Sequence, residues 1–518
     1  MGAAFFMFVP LFRVGFTLVW TLMLIGLTGE KFALVLGLAS AFGCILSLFV
    51  RKEKSVMLVL VTVFFACALF WAKTEFYVKP AVAYKGTTQT LTGRIIAIDT
   101  HSQGGANRCV VRISDGPLKG YKVRLSTKSF EGEINQTIRF TGKLYEVNAK
   151  PRDIYLGCYS FKGAEVTGES VNLIGFFRKK AYDTAEFMKN ELRRNLPGDC
   201  SQTLTGMLIG EKDELSDEIY DNFKRAGAVH LLAVSGFHTS LWSFMVYREL
   251  LKRGVTVKAA AALSALFVLF FMAVTGFSKS AVRAGITMIV FFLGRVILKQ
   301  SDSKNSLGLA ATIILTANPF AGGDTGFLLS FFSTLGILVV FPPMQKSTRT
   351  LEKKLIKNYY IRRRVESVIS IVLVTLATLI FTLPLTMLLL GNLSALSPLT
   401  NIAVTPLASG AILLSGLAVP LSKIPVLRAF EPPMLMLSGL AVKAVLNITS
   451  RVSALPFSYV DISEGFFMIS VAATLILISV SIMIKADKKR TAVLSTLLFG
   501  FSLVAHYVVL YIEFHNYL

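Results

Sequence analysis

Two histidines and a serine interrupt an otherwise apolar run, His230-Leu-Leu-Ala-Val-Ser-Gly-Phe-His238. Ionisable side chains are costly inside a membrane-length apolar segment and ordinarily face a cavity. A shared metal ion would need the two rings close together, yet eight residues of helix hold His230 and His238 roughly 12 Å apart. A nucleophile at Ser235 would sit in Val234-Ser235-Gly236-Phe237, which lacks the first glycine of a G-x-S-x-G elbow. Ser235 and His238 are three apart, a spacing that on a helix would put them on one face. Two roles stay open for the segment: polar lining of a path, or packing between helices.

Three further constellations follow. Thr275-Gly-Phe-Ser-Lys-Ser-Ala-Val-Arg-Ala-Gly285 carries Ser280 and places the cations Lys279 and Arg283 one helical turn apart. At a pore mouth such a pair would attract phosphate; the competing explanation is that long basic side chains snorkel to the interface. Asn318-Pro-Phe-Ala-Gly-Gly-Asp-Thr-Gly-Phe327 puts Asp324 just ahead of a helix, where capping is the simplest role. The stretch 384–406 contains Pro384, Gly391, Asn392, Pro398, Asn401 and Pro406. Helices broken in this way survive in a bilayer only where the freed backbone groups face protein or a water-filled cavity, and such segments often line transport paths.

No CxxC, Walker-type G-x-x-x-x-G-K-[ST] or HxHxDH occurs in the chain. No metal, cofactor or catalytic residue is therefore expected, and any motor must be a separate protein.

The elements that carry these residues are set by composition. The chain has 518 residues, 53% hydrophobic and only 16% charged, which points to lipid as the main solvent. Apolar stretches at residues 5–27, 32–50 and 55–71 approach the roughly 20 residues a span needs. The first is too long in its apolar core for a cleaved leader. Ten more lie at 230–250, 256–276, 281–298, 305–318, 326–343, 366–390, 399–420, 433–453, 464–484 and 491–512. The expected fold is a polytopic α-helical membrane protein with about 13 transmembrane helices and one inserted β domain.

Basic loops orient it. Arg51-Lys52-Glu53-Lys54 joins the second and third spans, and short basic loops stay in the cytoplasm. Counting on, Arg248, Lys252, Arg253, Lys299, Lys304, Lys346 to Arg364, Lys423, Arg428 and Lys485 to Arg490 all fall on that side. The short stretch 305–318 must count as a span for this to hold. The N-terminus is then cytoplasmic, while the β domain and the C-terminus are extracytoplasmic. The expected divisions are 1–72 (three spans), 73–175 (β domain), 176–229 (amphipathic surface helices) and 230–518 (the remaining spans).

The β domain alternates apolar and polar residues with period two: Val123 and Leu125 against Lys122 and Arg124, then Ile138, Phe140 and Leu144 against Arg139, Thr141 and Lys143. Five or six short strands in about 85 residues suit a small barrel of the oligonucleotide-binding (OB) type. Arg94, Arg112, Lys122, Arg124 and Lys143, with Tyr121 among them, offer cations for phosphates and a ring for stacking, the chemistry of a single-strand binder. The same residues also suit ordinary solvated strand faces. Cys109 and Cys158 both fall in strands of this domain, and outside the cytoplasm a disulfide between them is expected.

Taken in order, HLLAVSGFH, TGFSKSAVRAG, NPFAGGDTGFLLSFFSTLGIL and PLTMLLLGNLSALSPLTNIAVTPL resemble the successive signatures of the ComEC competence family, the DNA-internalisation channel of naturally transformable bacteria. Three spans followed by an OB-like domain is also similar. The resemblance implies a bacterial inner-membrane channel, embedded in membrane lipids, that passes single-stranded DNA into the cytoplasm. It implies a strand received from an external DNA receptor and assistance from a cytoplasmic helicase-like ATPase. Lys279 joins the barrel's cations as a candidate contact to DNA. Many members carry a C-terminal metallo-β-lactamase-like domain. This sequence ends at Leu518 without one, so processing of the other strand is expected of a separate nuclease. Two rivals remain: a transporter of another lipid or anionic solute, with the β domain as an assembly or regulatory module, and an intramembrane enzyme using Ser235 and His238.

Overall fold

The computed structural model describes residues 2–461 except 50–53, 100–106, 128–131, 148–153, 155, 170–172, 212–214, 233, 235, 298–302, 356–357, 391, 395 and 456–457. The chain groups into two compact units. One comprises Met1–Asp217, His230–Phe327 and Leu407–Val445; the other comprises Glu218–Val229, Leu328–Pro406 and Leu446–Leu518.

The first unit opens with the apolar helices α1 (Gly2–Thr28), α2 (Glu30–Phe49) and α3 (Lys54–Lys73). A π-helical turn, Thr74–Val78, carries α3 into the short α4 (Lys79–Val82). Five strands follow: β1 (Thr88–Asp99), β2 (Asn107–Ile113), β3 (Lys122–Thr127), β4 (Gln136–Glu146) and β5 (Leu156–Glu169). They close into a barrel of order β1-β2-β3-β5-β4, with β4 returning to β1 and β3 running parallel to β5. The period-two pattern explains the closure, since alternate residues such as Leu91, Ile95, Val111, Val123, Leu125, Ile138, Phe140 and Leu144 fill the interior. Val78 and Ala81 join that core from the end of the preceding helix. Gly142 sits at a register shift in β4, where a Cβ would strike Cys158 Sγ at 2.7 Å. Glycine is what lets the strand bend into the barrel there.

The expected Cys109–Cys158 disulfide is not present, and both thiols are free and buried. The register supplies the reason. Cys109 pairs with Leu125 on β3, and Leu125 pairs with Cys158 on β5. Two strand spacings put the cysteine Cα atoms about 10 Å apart, whereas a disulfide tolerates at most about 7 Å.

After the barrel come α5 (Leu173–Asn195), α6 (Gly198–Ile209), α7 (Asp217–Arg225), α8 (Gly236–Lys252), α9 (Val257–Val274), α10 (Lys279–Val296), α11 (Ser303–Ala317) and α12 (Thr325–Val339). Glycines bring α1 and α11 together: a Cβ on Gly15 would overlap the Gly308 carbonyl, and one on Gly308 would overlap Phe12 Cα. Close backbone approach of this kind is how helices associate in lipid, where van der Waals contact is the main driving force. The Phe12 N–H also donates to Asn305 Oδ1 at 3.2 Å. Gly322 packs over Leu22 in the same way, so α1 fixes the turn that leads to Asp324.

The chain continues through α13 (Phe341–Leu355), α14 (Tyr359–Leu390), β6 (Asn392–Leu393), α15 (Ser397–Leu421), α16 (Glu431–Ser453) and β7 (Val460–Asp461). In the second unit α13 and α14 form a hairpin held by an Arg349–Glu366 ion pair. The helix break expected across 384–406 is narrower than the prolines suggest. Pro384 lies inside α14, which ends at Leu390, and Pro406 lies inside α15, which begins at Ser397. Membrane helices tolerate an internal proline because neighbouring groups satisfy the freed carbonyl.

Among the described residues, 6 helices are long and apolar enough to cross a membrane: Met57–Val82, Val257–Val274, Thr325–Thr350, Tyr359–Leu383, Leu399–Leu421 and Arg428–Ser453. The chain is a helical membrane protein carrying a five-stranded barrel. The spans expected at 464–484 and 491–512 lie outside the described residues.

Candidate functional site

Three of the four membrane motifs meet in the first unit. Val229–Leu232 is a 3₁₀ turn and α8 begins at Gly236, so His230 and His238 do not share one helix. The helical spacing assumed for the histidines is corrected accordingly. Ser235 lies outside the described residues. His230 is exposed, whereas His238 is 2% exposed at the start of α8. A Cβ on Gly236 would stand 3.8 Å from Ala284 Cβ on α10. The Ser240 hydroxyl donates to the Gly236 carbonyl at 2.7 Å and lies 3.4 Å from Met288 Sδ, also on α10. Gly210 ends α6 with φ +89°, and the space a side chain would fill is taken by Val234 and, at 3.9 Å, by Ser278 Oγ. The loop leading into α8 therefore lies against the N-terminal half of α10.

Arg283 is the centre of this arrangement. One of its guanidinium nitrogens, Nη2, donates to Ser280 Oγ at 3.0 Å, while Nε and Nη1 are buried without a hydrogen-bond acceptor. The position a Cβ would take on Gly326 is 3.7 Å from Arg283 Nη1 and 3.3 Å from Asp324 Oδ1. Asp324 Oδ1 also accepts the Phe327 N–H at 2.7 Å, so the capping role read from the sequence is present. One carboxylate thus caps α12 and faces the Arg283 guanidinium. Lys279 is the first residue of α10. The Nε–H and Nη1–H groups lie on different edges of the guanidinium, so each is a separate donor for an anionic oxygen.

The second unit holds the fourth motif. Asn392 pairs with Asp461 in the β6–β7 ladder. The Ser394 hydroxyl donates to the Arg225 carbonyl at 2.8 Å, and Ser453 Oγ lies 2.5 Å from Asn222 Oδ1. Pro398 stands in the first turn of α15, where its missing N–H is not needed. Asn401 Oδ1, one turn further on, is buried without a donor.

On the barrel, Arg94 pairs directly with Arg112, and Arg112 with Lys122, giving a row of cations across β1, β2 and β3. Arg124 lies two residues along β3, opposite Val110. Lys143 does not join the row. It pairs with Thr88, six residues from Arg94 along β1, or about 20 Å. The Tyr121 ring lies 5.1 Å from that of Tyr77, over which Lys73 Nζ sits at 4.0 Å. Burial, then the neighbouring Tyr77, push the Tyr121 phenol up. Lys73, Tyr77 and Arg178 are residues the sequence reading missed. The available signal was the four-residue spacing of Lys73 and Tyr77 at the end of an apolar span, which means nothing until the barrel is folded beside it. Among the described residues no three His, Cys, Asp or Glu side chains gather as metal ligands.

The model of the competence protein family matches residues 207–487. The chain belongs to the competence protein family. The matched segment contains all four membrane motifs and leaves out the barrel and α1 to α3. ComE operon protein 3 of Bacillus subtilis (strain 168) is 26% identical over 144 residues, 28% of this chain and 19% of that protein. Uncharacterized protein MG316 of Mycoplasma genitalium is 26% identical over 253 residues, 46% of this chain and 61% of its own length. Its homolog in Mycoplasma pneumoniae is 28% identical over 230 residues, 44% of this chain and 54% of its own length. The chain therefore spans less than two thirds of each of these relatives. No solved structure matches it.

Proposed function

We propose that this competence-family protein is a membrane channel that moves single-stranded DNA into the cytoplasm during natural transformation, with the barrel capturing the strand. The observation that carries the reading is Arg283, a half-buried cation whose Nε and Nη1 are shielded and without an acceptor, at the meeting point of three family motifs. A strand offers one anion per nucleotide, and a fixed guanidinium binds each phosphate in turn without reading sequence. The strand order β1-β2-β3-β5-β4 with the β1–β4 closure supports an OB-type barrel.

The wider arrangement we infer has about 13 spans, the division at residues 72, 175 and 229, and the barrel and C-terminus outside the bacterial inner membrane. Its partners would be membrane lipids, an external DNA receptor, a cytoplasmic helicase-like ATPase and a separate nuclease, with no cofactor and no catalytic step in this chain. His230, His238, Ser280, Asp324, Asn392, Pro398 and Asn401 would shape the path, and Lys279 would draw phosphate to its mouth.

The test is uptake of labelled DNA into the cytoplasm. Deleting the gene, or replacing Lys279 and Arg283 together by glutamine, is expected to abolish internalisation while surface binding persists. Normal uptake in the deletion strain sinks the proposal and favours transport of another anionic solute.

A further inference from the structure

Among the described residues the cationic row on the barrel has no ion-pair partner. Like charges directly opposite one another on neighbouring strands destabilise a sheet, yet Arg94, Arg112 and Lys122 stand side by side. Among the described residues no carboxylate lies in ion-pair reach of these three, and Arg94 Nε is buried without an acceptor.

A fourth cation faces the row from outside the barrel. The first turn of α5 is fixed to the barrel wall at two points. Gly175 packs so closely against the Asn135 side chain that a Cβ would overlap it, and Lys179 pairs with Glu133 at 2.6 Å. Asn135 in turn donates its N–H to the carbonyl of Ile95, next to Arg94, at 3.0 Å. Arg178 lies between these anchors. Burial, then the facing charges of Arg112 and Arg94, hold its guanidinium below the usual arginine range. The same guanidinium is 6.0 Å from the ring of Phe277, in the turn that leads into α10 and Arg283. At the other end of the row Tyr121 adjoins Lys122 and meets Tyr77, a residue 43% exposed.

We propose that Arg94, Arg112, Lys122 and Arg178, with Lys73 and Tyr77, form one phosphodiester-binding seam in which the strand lies between the barrel and the membrane helices. This rests on the single-stranded DNA reading above. It moves the capture site from the barrel's outer cations, such as Lys143, to the side facing α5, and adds Arg178 as the residue that passes the backbone towards Arg283. The paired tyrosines favour a nucleic acid over a lipid headgroup, because bases stack on rings and a headgroup phosphate has nothing to place there.

The experiment uses the full-length protein in phosphatidylcholine nanodiscs, with a fluorescent oligothymidylate titrated across a salt series. Each lost phosphate contact flattens the dependence of log K on log salt by about 0.7. R178Q is expected to weaken binding and flatten the slope by about that amount, and R94Q with R112Q by about twice as much. Y77A is expected to weaken binding roughly tenfold with the slope unchanged. R178K should keep the slope, and K143Q should bind as the parent does.

If the parent binds with a steep slope that R178Q leaves intact and K143Q flattens, the seam is overturned while the channel reading stands. Absence of parent binding at low salt overturns both. If R178Q instead abolishes only an association with phosphatidylglycerol nanodiscs, the seam is a lipid headgroup site and the proposal fails.

Discussion

Asp324 Oδ1 and Arg283 Nη1 lie 3.3 and 3.7 Å from a single point, the place where a Cβ would stand on Gly326. The glycine therefore keeps open the gap between the cap of α12 and the cation of α10. Asp324→Asn separates the two roles of the carboxylate. Asparagine caps a helix as well as aspartate does, so stability in detergent should be unchanged while the charge facing Arg283 is gone and DNA uptake falls. Asp324→Ala should lower uptake and also cost about 1 kcal/mol of stability. Gly326→Ala should fold, since alanine is the better helix former, and should lower uptake, because the new methyl crowds Asp324 Oδ1 at 3.3 Å and fills the gap beside Arg283. Full uptake by Asp324→Asn would remove the carboxylate from the mechanism.

Gly308 offers a purely structural test. Its α-carbon lies against the α1 backbone at Leu11 and Phe12. Gly308→Leu has no room and should leave the protein unassembled. Gly308→Ala must push α1 and α11 apart and should cost about 1–3 kcal/mol, as overpacked sites do. Thermal denaturation of the purified protein in detergent measures this. Unchanged melting of Gly308→Ala would show that α1 is held by other contacts.

The barrel was legible in the sequence because one buried face forces a period of two, and Val123, Leu125, Ile138 and Phe140 obey it. The cysteines were misread because strand membership says nothing about which strands are neighbours. The parallel β3–β5 pairing that places Leu125 between Cys109 and Cys158 joins segments about 30 residues apart. Arg283, Asp324 and the histidines stood out as polar residues in apolar runs. The approach of Arg283 to Asp324 did not, because it depends on Gly326, which has no side chain of its own, lying beside both groups. Pro384 and Pro406 exaggerated the helix break, since proline weakens a helix without dictating where it stops.

The free thiols carry a pH signature. Burial pushes Cys109 and Cys158 each from 9.0 up to about 12. Unfolded thiols ionise first, so this stabilisation is complete below pH 9.0 and is lost as the pH rises towards about 12. Alkylation of the native protein at pH 8 should leave both unlabelled, and labelling should appear only on unfolding. Cys109→Ala with Cys158→Ala should blunt the loss of stability in base. A Cys109–Cys158 crosslinked peptide in a non-reduced digest is the result that would restore the disulfide.

Lys189 tests how α5 is held. It is buried on α5, with Nζ 2.6 Å from Glu186 Oε1 and 2.8 Å from Glu211 Oε2. Burial alone would lower its pKa, but the hydrogen bonds it donates to both carboxylates outweigh that and hold the ammonium above its usual range. The stabilisation is therefore full at neutral pH and is lost only as the pH climbs beyond the ordinary lysine value. Lys189→Met leaves two carboxylates facing each other with no cation and should destabilise by roughly 3–5 kcal/mol. Adding Glu186→Gln and Glu211→Gln removes the stranded charges and should recover most of the loss. Glu211 directly follows Gly210, which packs on Val234 beside Ser278, so Lys189 links α5 to the loop lining α10. Lys189→Met should therefore lower DNA uptake more than its melting temperature alone predicts, and the triple variant should recover stability before uptake. Equal recovery of both would limit Lys189 to holding the fold.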